Sequence, residues 1–203
     1  MKSLSEIETV SKRSSKASGF SWGVAEEVGK NIRMLEMFGL SGIKNLNYYF
    51  RIRNTKTFEK LNLVKKENKT TKLEFCPIIA GLSFLDQVRS LEKFNEIRFE
   101  KIAYPILFLP FVSRASEVIG KKLRLEIDNK FFLFNYNITL YSNLQNEGII
   151  EIGNNVLIKF EENKDSFKEN EWKEIYTLSE NTFVEESDTL KHVGAGAGLT
   201  DND

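Results

Sequence analysis

The chain is poor in the residues that most often mark a site. Its 203 residues contain one Cys, one His and three Pro. A single cysteine excludes an internal disulfide, and a single histidine excludes the multi-histidine zinc sites. No apolar run is long enough to span a bilayer: the longest, Ile102–Val112, is about half that length and contains Pro105 and Pro110. The first residues, MKSLSEIETV, lack the apolar centre of a signal peptide, so a soluble, reduced, cytoplasmic protein is expected. There is no internal repeat. Net charge is absent too, with 29 Lys and Arg against 29 Asp and Glu.

What is present is globular. Hydrophobic residues make up 41% and aromatics 12%, enough to bury a core without disulfides or metals. The zero charge conceals a split. Residues 1–72 carry 15 Lys/Arg against 7 Asp/Glu, residues 73–142 carry 9 against 8, and residues 143–203 carry 5 against 14. A basic first third and an acidic last third can attract each other within a chain or between chains, or the basic part can meet a polyanion.

Residues 1–53 read as helical. Ser3 and Glu6 form a capping box, Leu4, Ile7 and Val10 follow at helical spacing, and Gly19 supplies a stop. Ser21 caps a second helix with the stripe Ala25, Val28, Ile32, Leu35 and Phe38, and Ser41 starts a third. Residues 54–72 are polar and make a weak domain boundary. Residues 73–190 read as β-rich: alternation at Ile97 and Phe99, an apolar strand at Tyr104–Leu109, a helix at Phe111–Ile119 ended by Gly120, and a strand at Lys122–Ile127. A turn at Asp128-Asn129 leads into Phe131–Tyr141. Gly153-Asn154-Asn155 reads as a hairpin turn between Ile149–Ile152 and Val156–Phe160. Trp172, Ile175 and Tyr176 mark a last short helix, and residues 191–203 are a Gly-Ala and acidic tail. The expectation is a single α+β domain: N-terminal helices, then a largely antiparallel sheet with one short strand–helix–strand unit.

Gly19-Phe20-Ser21-Trp22-Gly23 matches G-x-S-x-G, the nucleophile elbow. That elbow needs a strand before the Ser, and the preceding residues read as a helix. A C-cap glycine followed by a capping serine explains the same residues. A helix-turn-helix reading meets Glu26 and Glu27 where a recognition helix wants Arg, Asn or Gln, so nucleic acid is disfavoured. Tyr48-Tyr49-Phe50-Arg51-Ile52-Arg53 mixes rings and cations as a stacking platform does, without alternation onto one sheet face. Cys76, inside an apolar run, reads as a buried, inert thiol. Asp86 is a site carboxylate or a turn residue.

The tail is unusual. Gly194, Gly196 and Gly198 alternate with alanines, and Thr200-Asp201-Asn202-Asp203 complete it. Asp201 and Asp203 have the spacing of hard oxygen ligands for Mg²⁺ or Ca²⁺. Equally, the tail is an extended peptide for a groove on its own chain or a partner, or an ordinary disordered terminus.

Ser21-Trp22-Gly23-Val24-Ala25-Glu26-Glu27-Val28-Gly29, together with the Gly194–Asp203 ending, resembles a bacterial domain-of-unknown-function family. The resemblance implies one intact unit whose tail is part of the pattern, and it carries no activity, substrate or catalytic residue. The first functional reading is a non-catalytic binding or assembly (accessory) protein, its partner another protein or a second copy of itself, with tail docking through backbone hydrogen bonds and Thr200, Asp201 and Asp203 fixing the register. The alternative is a small-molecule enzyme using carboxylates from Glu26, Glu27, Asp86, Asp201 or Asp203 with Ser21 or Thr200, and a divalent cation. A third is nucleic-acid binding by residues 1–72. No cofactor is assigned and no membrane contact is expected.

Overall fold

The computed structural model describes residues 2–135, 139–144, 149–162 and 164–183. The chain divides into two compact units, residues 1–163 and residues 164–203.

The first unit opens with α1 (Leu4–Ala17), α2 (Trp22–Met37) and α3 (Gly42–Arg53). Two of the three serines cap as their spacing predicts. Ser3 accepts from the Glu6 N–H at 3.1 Å, and Ser21 accepts from the Val24 N–H at 3.4 Å. The Ser41 side chain makes no capping bond; the Glu36 carboxylate at the end of α2 accepts the Ile43 N–H at 2.8 Å instead. The buried face of α1 also differs from its apolar stripe. Ser11 and Ser15 are buried, whereas Leu4 and Val10 are exposed. Helix approach explains this. A Cβ on Gly29 of α2 would sit 2.8 Å from the Glu8 carbonyl oxygen of α1, so the two helices approach closely there and the small Ser11 and Ser15 fill the inner face of α1 next to Ile7.

A six-stranded sheet comes next, made of β1 (Glu67–Asn68), β2 (Glu96–Ala103), β3 (Lys122–Ile127), β4 (Lys130–Asn135), β5 (Thr139–Ser142) and β6 (Ile152–Glu161). Its order is β1-β2-β6-β3-β4-β5. β1 is parallel to β2 and every other pair is antiparallel. The polar segment 54–72 therefore supplies an edge strand, and Val64 within it is buried. β2 and β3 both run antiparallel to β6 and so parallel to each other. The strand–helix–strand unit is a split crossover, in which residues 104–121, including α5 (Leu109–Ile119), carry the chain past β6.

Three strand expectations are corrected. Tyr104–Leu109 is not a strand: β2 ends at Ala103, Tyr104 turns left-handed at φ 43°, and Pro105–Phe108 form a 3₁₀ turn. Proline lacks the N–H a ladder needs, so apolar character alone does not extend the strand. Phe131–Tyr141 is two strands, β4 and β5, paired antiparallel. Gly153-Asn154-Asn155 does not turn the chain. It lies inside β6, a single strand paired on both sides. Gly153 serves close approach: a Cβ there would meet Ile127 Cγ2 at 2.8 Å.

Alternation sorts the sheet into two faces. Ile97, Phe99 and Ile102 of β2, Leu123, Leu125 and Ile127 of β3, and Val156 and Ile158 of β6 are buried. They share one core with Phe84 and Val88 of α4 (Pro77–Leu91) and Phe111 and Val112 of α5. Phe108 joins the layers, 5.3 Å from Phe99 and 6.2 Å from Phe84 between ring centroids. The opposite face carries charge: Arg124 Nε and Lys159 Nζ reach one oxygen of Glu126 at 2.8 and 3.0 Å. The architecture is α+β, as the pattern predicts.

In the second unit the described residues form α6 (Glu169–Glu180), the expected last helix, with Phe167 stacked on Trp172 at 5.6 Å. Among the described residues no helix is long and apolar enough to cross a membrane.

Candidate functional site: a cationic pocket at the turn between two helices

α1 and α2 form an antiparallel hairpin along their length. Glu8 meets Arg33 at 3.1 Å, Lys12 meets Glu26 at 3.7 Å, and the Lys16 ammonium lies 5.5 Å from the Trp22 ring centre. This is an αα-hairpin and not the crossed pair of a helix-turn-helix. Gly19, at φ 93°, makes the reversal and Ser21 caps α2. No strand precedes Ser21, and its Oγ already accepts the Val24 N–H, so the nucleophile-elbow geometry is absent here.

The turn, residues 18–21, walls a cavity of about 540 Å³. The C-terminal end of α3 and the segment after it supply a second wall: Tyr49, Phe50, Arg53, Asn54, Lys56, Thr57, Phe58 and Lys60. Val24 of α2, Cys76 and Ile79 complete the lining. Arg53 holds the site together. Its guanidinium sits 4.1 Å from the Phe20 ring centre and donates to the Ser18 carbonyl. Phe58 stacks on Tyr49 at 5.2 Å.

The electrostatics are one-sided. Arg53, Lys56 and Lys60 line the cavity, and no Asp or Glu does. Lys56 is partly offset from behind by Glu74 at 2.7 Å. Ser21 and Cys76 are the N-caps of α2 and α4, so two helix N-termini, with their partial positive charge, also open here. At the floor, Tyr49 Oη and Cys76 Sγ are 3.0 Å apart. Burial pushes the Cys76 thiol up, and outweighs the Tyr49 hydrogen bond, the Ile79 and Ile78 N–H groups and Arg53, which act the other way. Burial, then Cys76, pushes the Tyr49 phenol up as well. Both therefore stay protonated at neutral pH. The pocket presents cations at its walls and a neutral polar pair at its floor.

Of the residues singled out in the sequence, Ser21 lies in this pocket. Trp22 does not line it and is exposed beside Lys16. Glu26 pairs with Lys12 and Lys30, and Glu27 pairs with Arg114 of α5 and with Lys30 at 3.2 Å. Burial raises the Glu27 pKa, but Arg114 and Lys30 together hold it below the usual value of 4.5. Asp86 is on the exposed side of α4. None of these carboxylates lines the cavity. Among the described residues no group of three or more His, Cys, Asp or Glu is placed to hold a metal ion. His192, Gly194, Gly196, Gly198, Thr200, Asp201 and Asp203 lie outside the described residues. Tyr49, Phe50 and Arg53, from the run YYFRIR weighed as a stacking platform, and Cys76, read as an inert thiol, also line the pocket; Lys56, Phe58 and Lys60 lie in the polar segment 54–72 and carry no site signal in the sequence.

Residues 2–76 match the model of a family described as a protein of unknown function (DUF3726). The match supports a domain-of-unknown-function family, with no established activity. It contains Ser21–Gly29 and every lining residue of the pocket except Ile79; residues 194–203 fall beyond it. No curated protein and no solved structure matches the chain.

Proposed function

We propose that this is a non-catalytic binding protein and that the pocket between residues 18 and 79 is where it binds. The observation that carries this reading is a concave volume of about 540 Å³ whose charged lining residues are all cationic. That volume is in the range of small-molecule sites, roughly 300–1,000 Å³, and the mixture of rings with a few placed polar groups is also what such sites use. The absence of catalysis is supported by the state of the available nucleophiles. The Ser21 hydroxyl is engaged as a cap and the Cys76 thiol is held neutral. A cytoplasmic, accessory role fits this reading.

Native mass spectrometry of the gently purified full chain tests it. The expected result is a mass above that of the bare chain, lost in Val24→Trp, which fills the cavity, and in Lys60→Glu, which reverses an exposed wall charge. Bare chain in all three samples counts against the reading. An added mass removed by a chelator favours the metal-dependent enzyme instead.

A further inference from the structure

We infer that the ligand is an organic anion with a ring-sized apolar body, its charged head held by Arg53 and Lys60; this rests on the binding reading above. Among the described residues neither Arg53 nor Lys60 has a carboxylate partner, whereas Lys56 has Glu74 at 2.7 Å. Arg53 spends one donor on the Ser18 carbonyl, and a guanidinium has five in a fixed fork suited to a carboxylate or phosphate. A cationic ligand would meet like charge on every charged side chain of the lining. A wholly apolar one would strip water from these cations without pairing them. A bare inorganic anion leaves most of the volume unfilled. The rest of that volume is bounded by Phe20, Phe50 and Phe58 with Val24 and Ile79, an apolar lining suited to a ring. The Tyr49–Cys76 pair, neutral at the floor, can meet a neutral polar atom of the body but not a second charge.

The test uses the full chain and four probes, 1-naphthyl phosphate, 1-naphthoate, 1-naphthol and inorganic phosphate, with binding read by calorimetry. One or both naphthyl anions are expected to bind about tenfold or more tightly than either naphthol or phosphate, as a charge-assisted hydrogen bond implies. Which of the two binds better tells phosphate from carboxylate recognition. Lys60→Met, at an exposed position, is expected to weaken the naphthyl anions about fivefold and leave naphthol unchanged. Naphthol binding as tightly as the anions overturns the proposal, as does phosphate alone matching naphthyl phosphate, or full affinity in Lys60→Met. If no probe binds while Val24→Trp still abolishes the co-purifying mass, the ligand class is wrong and the binding reading stands. If both fail, both fall.

Discussion

Glu27 shows how a residue chosen for chemistry can be held by architecture. It sits in the second turn of α2 and reaches Arg114 on α5 and Lys30 on its own helix. Its folded pKa lies below 4.5. The unfolded chain loses these partners, so as pH falls it takes up the proton first, and stability drops with it. The contribution is therefore present above about pH 4.5 and is lost as pH falls through the folded value. Glu27→Gln is expected to unfold at a lower temperature than the native chain at pH 7, the gap closing in acid. A gap that stays constant from pH 7 to pH 3 would show that the pair does not act through charge. Cys76 illustrates the opposite balance, in which burial outweighs nearby donors and a cation, while at Tyr49 burial and Cys76 together outweigh Arg53; both groups stay neutral.

Among the elements, the α1–α2 hairpin positions the pocket, and its spacing is set by one glycine. A Cβ on Gly29 would meet backbone, the Glu8 carbonyl at 2.8 Å, and Lys12 Cβ at 3.0 Å. Gly23, on the same helix, has nothing within 4 Å. Alanine at either position gains about 1 kcal/mol or less of helix propensity. At position 29 overpacking, about 1–3 kcal/mol, outweighs that gain. Gly29→Ala is thus expected to lower stability by about 1–2 kcal/mol and Gly23→Ala to raise it slightly, read from urea unfolding. Equal shifts of the same sign would remove the close-approach argument. The same logic holds between α4 and α5, where a Cβ on Gly81 would enter the Phe111 ring.

For the molecule as a whole the charge distribution is the leading feature: residues 1–72 hold an excess of eight positive charges and residues 143–203 an excess of nine negative ones. Of the cations that line the pocket, Lys56 is paired with Glu74, while among the described residues Arg53 and Lys60 have no carboxylate partner, which is why an anion is the expected ligand. The tail-docking idea belongs at this scale, and its residues lie outside those described. If the Gly-Ala and acidic ending docks on its own chain or a neighbouring one, deletion of residues 194–203 lowers the melting temperature or changes the native mass, and added salt reduces that difference. An unchanged melting temperature and mass would end the idea.

Local rules made much of the fold legible in the chain. Ser3 and Ser21 cap, Gly19 and Gly120 stop helices, Lys122–Ile127 alternates, and Asp128-Asn129 turns, because each depends on neighbours within a few residues. The inner face of α1, the identity of β6 as one continuous strand and the cap of α3 were not legible. Each is decided by a distant partner: Gly29, the two flanking strands and Glu36. The candidate site belongs to the second kind. Residues 18–24, 49–60 and 76–79 read separately as cap, core and loop, and their chemistry is ordinary until packing brings them together. Sequence by itself determined the α+β class, the charge split and the shortage of metal-binding histidine and cysteine. Tertiary structure decided that Arg53, Lys56 and Lys60, neighbours in sequence, face a cavity closed by residues 18–24 and 76–79 with no carboxylate in its lining, because long-range packing sets what surrounds them.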